Sequence, residues 1–103
     1  MAFQGIVHDA LWKELDRGAH DEVRAAMKTI VALDDPAQSS NVKLLENCAF
    51  RKSYRLRVGR LRVLFIIFPD EGVVVFTTAF EKKRESDYIG AIERHERRVR
   101  SYE

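Results

Sequence analysis

The chain has 103 residues, 46% of them hydrophobic and 33% charged, with a net charge of +2 and a single cysteine. That length and balance fit one folded domain over residues 1–103 and exclude a disordered segment. No apolar run approaches the roughly 18 residues of a membrane helix, the start lacks the pattern of a signal peptide, and a lone Cys48 leaves no disulfide framework or CxxC metal site, so a cytoplasmic protein with no metal or small-molecule cofactor is expected.

Charge is unevenly spread. Residues 1–42 hold four Lys/Arg against seven Asp/Glu, and residues 43–103 hold fourteen against nine. A basic second half suits phosphate or an acidic partner protein, although a solvated charged surface would read the same way.

Ala2 to Val7 reads as a short edge strand. Asp9 offers a helix N-cap, Leu11 and Leu15 fall at helical spacing, and Gly18 is a stop signal. Trp12 reads as packing. A second helix begins near His20, with Asp21 and Glu22 against the positive end of its dipole and Val23, Ala26, Met27, Ile30 and Val31 as its apolar stripe. Asp34-Asp35-Pro36 ends it. The two helices are expected to form an antiparallel hairpin. Val42 to Phe50 has no clear period; Lys43-Leu44-Leu45 fits a helical turn or a strand start equally.

Ser53 to Phe65 reads SYRLRVGRLRVLF and carries the clearest pattern in the chain. Tyr54, Leu56 and Val58 share one parity and Arg55 and Arg57 the other, which makes a half-buried strand with arginines on its open face. Gly59-Arg60, with glycine first, suits a type II′ turn, and the returning run Leu61 to Phe68 is apolar except for Arg62. Arg55, Arg57 and Arg62 then meet on one face, where they repel one another unless an anion is bound. Pro69 to Gly72 is a turn, and Val73 to Phe80 a third strand of the meander. Arg84 to Tyr102 is a final helix with Ser86 as its cap and Glu93/Arg97 and Glu96/Arg100 as i,i+4 pairs. The order predicts a small α+β domain, a helical hairpin plus a C-terminal helix packed on an antiparallel-rich sheet, with the helices on one sheet face.

Tyr54-Arg55-Leu56-Arg57-Val58-Gly59 with Arg62-Val63-Leu64-Phe65, followed by the strand Val73-Val74-Val75-Phe76, resembles the central signature of the RelE/ParE superfamily of toxins. Phe80-Glu81-Lys82-Lys83 before a charged helix is similar to the HigB branch. The resemblance implies the RelE-like fold and the toxin of a type II toxin–antitoxin system. In the RelE and HigB branches it implies a ribosome-dependent endoribonuclease acting on mRNA, with a cognate antitoxin, the ribosome and mRNA as partners. It also implies catalytic positions. Arg55 and Arg57 fall on the branch's catalytic basic residues, Arg62 on its transition-state-stabilising arginine, and Lys83 on the basic residue after the last strand. Tyr88 lies within one residue of its tyrosine. Arg60, Lys82 and Arg84 are expected to bind RNA beside them, Lys82 lying one position from the basic residue after the last strand.

RNA is cut without metal when its 2′-hydroxyl attacks the adjacent phosphate, given a base, cations for the phosphorane and an acid for the leaving 5′-oxygen. Arginine suits the cationic task through its bidentate fork, but its pKa above about 12 disqualifies it as the base. Glu81 and His95 are the candidates for that proton. His95 lies on the stripe Tyr88, Ile92, His95, Val99, Tyr102, and apolar neighbours at helical spacing favour a stripe that docks the helix on the sheet. Two rival functions remain: a ParE-like inhibitor of DNA gyrase, and a non-catalytic protein whose partner is the antitoxin alone.

Overall fold

The computed structural model describes residues 3–102. Strand β1 spans Gln4–Val7, β2 Val42–Leu44, β3 Ser53–Val58, β4 Leu61–Phe68 and β5 Val73–Glu81; helix α1 spans Asp9–Lys13, α2 His20–Val31 and α3 Asp87–Arg100. The strands form one sheet in the order β1-β5-β4-β3-β2, antiparallel throughout except that β1 lies parallel to β5. This is the small α+β fold expected, with Val42–Leu44 resolved as a strand. Ala2, expected in β1, lies outside the described residues.

The helices do not share one face of the sheet. Leu11 and Leu15 from the α1 segment and Val23, Met27 and Ile30 of α2 pack with Leu56, Val58, Val63, Phe65, Ile67, Val74 and Phe76. Ala91 of α3 packs instead with Leu64, and Val99 with Ile66 and Val75. Successive residues of β4 point to opposite faces, so α3 covers the side away from α1 and α2. Burial of five consecutive residues, Val63 to Ile67, follows from that sandwiching.

Local chemistry sets the element ends. The Ala10 N–H donates to His8 Nδ1 at 3.1 Å, so His8, not Asp9, caps α1. That helix stops at Lys13, well before Gly18, and a 3-10 turn at Arg17–Ala19 leads into α2. Helix α2 ends at Val31, and buried Pro36 opens a second 3-10 turn capped by the Asp35 carboxylate. Trp12 is half-buried against the core, with the Arg24 guanidinium 4.9 Å from its ring centre. Cys48 is a partly buried packing residue. Gly59 has φ +59° and Arg60 does not enter the positive region, as a type II′ turn requires. At α3, Ser86 makes no side-chain cap. The Asp87 carboxylate accepts from the Lys83 and Arg84 N–H groups at 2.8 and 3.0 Å, folding the preceding loop back onto the helix start. The expected Glu96/Arg100 pairing gives way to other contacts: Glu96 accepts from the Ala49 N–H at 2.6 Å, and Arg100 lies over Phe50.

Two features of β5 organise the α3 face. A register shift places Leu64 opposite Thr78 and Phe65 opposite Phe76, so Thr77 is an extra, bulged residue. Thr77 and Thr78 touch each other through their hydroxyls, and Arg98 of α3 reaches Thr78 as well. Strand β1 pairs only with Val73–Phe76, which leaves the β5 edge bare beyond that point. Arg98 donates to the Thr77 carbonyl at 2.7 Å, and the Ala79 N–H donates to Glu14 Oε1 at 3.3 Å. Glu14 in turn accepts from Arg98 at 2.7 Å and Arg94 at 2.8 Å. An ion-pair clasp thus stands where a strand partner is missing and ties α3 to the segment after α1 around the sheet edge.

Candidate active site

The β3–β4 register places cations opposite cations. Arg57 is the Cα partner of Arg62, and Arg55 is the partner of Lys43 on β2. Paired residues on neighbouring strands share a face, and Arg55 is also level with Leu64, whose side chain packs under α3. All four cations therefore stand on the α3 face, at the end the helix leaves uncovered. Like charges opposite one another destabilise a sheet, so this arrangement calls for an anion.

An open cleft of about 690 Å³ runs between this end of the sheet and the start of α3. Of the residues singled out in the sequence, Arg55, Arg62, Lys82 and Tyr88 line it; Lys43, Glu85 and Ile89, which were not singled out as site residues, line it too. Arg57 is exposed on the same sheet face beyond that lining, and Arg60, Lys83 and Arg84 are exposed outside it. Leu44 and Ile89 are large apolar side chains left exposed in the lining of the cleft.

The cationic side chains are held in specific ways. Arg55 donates to the Asn41 carbonyl at 3.2 Å. Arg62 is half-buried, not free on an open face: it folds back to donate to the Gly59 and Leu61 carbonyls, both at 3.0 Å. In that pose its Nε–H is shut from solvent with no acceptor among the described residues. An orphaned donor costs about 1–3 kcal/mol. Lys82 pairs with Glu85 at 2.6 Å and sits 5.9 Å from the Tyr88 ring centre, and Tyr88 packs edge-on against Phe80. The Lys82 hydrogen bond and charge hold the Glu85 carboxyl below the usual range, with Arg55 and Arg62 adding to the effect. Asp87 is held low by the Lys83 and Arg84 N–H groups that it accepts from.

Both candidates for the proton stand elsewhere. His95 is 0% exposed, with Ser53 Oγ 2.8 Å from Nε2 and Thr77 Oγ1 2.6 Å from Nδ1. Burial pushes its pKa down to about 4, so the ring is neutral and fully hydrogen-bonded inside the molecule. The docking stripe of α3 explains it: Ala91, His95 and Val99 are the buried positions. Glu81 is level with Leu61, which packs with the α1–α2 core, so it stands on the face opposite the cleft.

A scan against protein-family models gives no match, and neither does a search of curated proteins. Solved structures do match. The chain is similar to RelE in the archaeal RelE–RelB complex from Pyrococcus horikoshii, with 18% identity, 82% of this chain and 99% of that one covered, and a TM-score of 0.64. It is similar to a mutant of the Escherichia coli toxin RelE in the free state, with 16% identity, coverage of 91% and 98%, and a TM-score of 0.65. The toxin–antitoxin complex RelBE2 from Mycobacterium tuberculosis also matches, at 16% identity, coverage of 82% and 95%, and a TM-score of 0.63. The mixed five-stranded sheet and its flanking helices match these solved structures: the chain has the RelE fold.

Proposed function

We propose that this chain is the toxin of a type II toxin–antitoxin pair and acts as an endoribonuclease on ribosome-bound mRNA. The observation that carries the reading is the cationic stack Lys43/Arg55 and Arg57/Arg62 on one sheet face of a RelE fold, with Lys82 beside it and all of these but Arg57 lining one cleft. Such a stack is costly to the fold and matches the charge that grows on a phosphorane as a 2′-hydroxyl attacks. Arg62 has the strongest case for the transition-state role, because its guanidinium keeps a spare donor in the resting pose. Arg55 and Lys82 hold the phosphate beside it, Tyr88 offers a ring for a base to stack on, and Arg57, Arg60, Lys83 and Arg84 steer the RNA backbone from the rim. His95 holds α3 in place and takes no proton from RNA.

Solved relatives include RelE–RelB complexes, which supports an antitoxin partner for this chain. The cleft's cations and its exposed Leu44 and Ile89 suit an acidic amphipathic segment. The test is induced expression in a host lacking an antitoxin, followed by mapping of message ends on isolated ribosomes. Translation stops first and new 5′-hydroxyl ends appear within coding sequence. Loss of DNA supercoiling with normal translation would assign the chain to gyrase inhibition, and growth without arrest would assign it to antitoxin binding alone.

A further inference from the structure

Resting on the endoribonuclease reading, one requirement has no owner among the residues discussed so far. The attacking 2′-hydroxyl must lose a proton, arginine does not accept one, His95 is enclosed and Glu81 stands on the other sheet face. Four glutamates line the cleft, Glu46, Glu85, Glu93 and Glu96; among the described residues neither Glu46 nor Glu93 forms an ion pair with its cations, and Glu96 is engaged with the Ala49 N–H. Glu85 differs from it. It is carried on the short loop between β5 and α3, its side chain is largely exposed, and it lies 2.6 Å from Lys82, in the electrostatic reach of Arg55 and Arg62.

We infer that Glu85 is the general base of the cleft, the carboxylate that takes the 2′-hydroxyl proton while Arg55, Arg62 and Lys82 hold the phosphate. Glu85 serves these cations as an anion, paired with Lys82 and within the influence of Arg55 and Arg62. When RNA arrives, the phosphate takes over that role and leaves the carboxylate beside the ribose. The step then balances: Glu85 accepts the proton, the 2′-oxygen bonds to phosphorus, and the bond from phosphorus to the 5′-oxygen breaks. The leaving oxygen takes a proton from water. The products are a 2′,3′-cyclic phosphate and a 5′-hydroxyl, and Glu85 returns its proton to solvent.

The arrangement also makes the base respond to its substrate. Free, the carboxylate faces Lys82 on its own loop, Arg55 on β3, Arg62 on β4 and Lys43 on β2, with Tyr88 and Glu93 on α3. Lys82 first, and then Arg55 and Arg62, hold it deprotonated and weakly basic. A bound phosphate neutralises them, so the carboxylate becomes more basic when it is needed.

The experiment is single-turnover cleavage of ribosome-bound message by wild type, Glu85→Gln and Glu85→Asp, with ribosome co-sedimentation and thermal melting as controls. Glu85→Gln is expected to lose about 10²–10⁴-fold in rate while binding the ribosome and melting like wild type, and Glu85→Asp to fall between them. The acidic fall-off of the wild-type rate should lie at higher pH with saturating than with subsaturating toxin, both in excess over message, because the former reports the RNA-bound carboxylate. Coincident fall-offs, or a Glu85→Gln that cuts as fast as wild type or faster, would make Glu85 a counter-ion only and overturn the inference by itself. A wild-type protein that leaves the message intact would overturn the proposed function and this inference together.

Discussion

Two polar clusters sit on the same face of the same sheet and have opposite character. Under α3, His95 lies between Ser53 and Thr77, and at the adjoining edge Glu14 is matched by Arg94 and Arg98. There both His95 ring nitrogens have hydrogen-bond partners, and the one Glu14 carboxylate bonds both arginines. At the uncovered end, Lys43 faces Arg55, Arg57 faces Arg62, an Arg62 donor has no acceptor among the described residues, and Glu85 pairs with Lys82 beside them. A satisfied cluster belongs to the fold, because its bonds are complete without a ligand. An unbalanced one is kept at a cost to stability and points to a partner that completes it.

The largest expected effect breaks the unbalanced cluster. Arg62→Ala should lower cleavage of ribosome-bound message by about 10²–10³-fold, the usual loss for one donor aimed at developing charge. Stability should barely change, since the variant removes a buried orphan donor along with two hydrogen bonds to the turn. Arg62→Lys should recover only part of the rate, as the ammonium lacks the fork. End-mapping kinetics beside a urea melt check both, and an active Arg62→Ala removes the clamp.

The satisfied cluster should respond to pH in stability, not in chemistry. His95 is neutral in the fold down to about pH 4 but titrates near 6.5 when unfolded. Between those values the unfolded chain binds the extra proton, so stability falls as pH falls through that window. The loss is at most about 1.4 kcal/mol per pH unit and about 3 kcal/mol in all; above pH 6.5 the histidine contributes no slope. Urea melts at pH 7.5, 5.5 and 4.5 should show this, and His95→Gln should remove that part of the slope while cutting at a near wild-type rate. A sharp loss of cutting at unchanged stability would return His95 to the chemistry.

Next in size is the clasp. Glu14→Gln leaves Arg98, only 14% exposed, without its anion, and should cost about 2 kcal/mol, less than a fully buried pair because water still reaches Arg94. Denaturation midpoints check it. A change within error would mean the bare β5 edge is protected by the Arg98 bond to the Thr77 carbonyl alone.

The unbalanced cluster was far more legible in the sequence than the satisfied one. Alternation of period two fixes the face of Arg55 and Arg57, and glycine before Arg60 fixes the turn and so the position of Arg62; both are local rules. The second face was missed although a signal existed: Val63 to Ile67 is apolar without alternation, the mark of a strand covered on both sides. Lys43 lay in a stretch with no period, and only pairing with β3 brings it opposite Arg55. Glu85 sits in a loop, where no periodicity assigns a direction. Glu14 meets its partners about eighty residues away along the chain, a distance at which charge patterns carry no information. The Thr77 bulge shifts the register where alternation alone would turn one of the two threonines away from α3.

The smallest effect tests the sign of the comparison directly. Arg57 is exposed, lies outside the cleft lining, and stands opposite Arg62 across the β3–β4 ladder. If the cations repel one another in the free protein, Arg57→Gln should stabilise the fold at low ionic strength, where most surface substitutions do nothing or harm. The gain should be about 0.2–1 kcal/mol, the range for one cross-strand pair. It should fade toward 1 M salt, where the screening length shrinks to about 3 Å. It should also reverse when a short RNA or other polyanion is added, because wild type then gains a contact that the variant lacks. Melting temperatures of the two proteins at low salt, high salt and with polyanion give the three signs. A variant that is less stable than wild type at low salt would show that Arg57 has found its own counter-charge, and that the imbalance is confined to Arg55, Arg62 and Lys43.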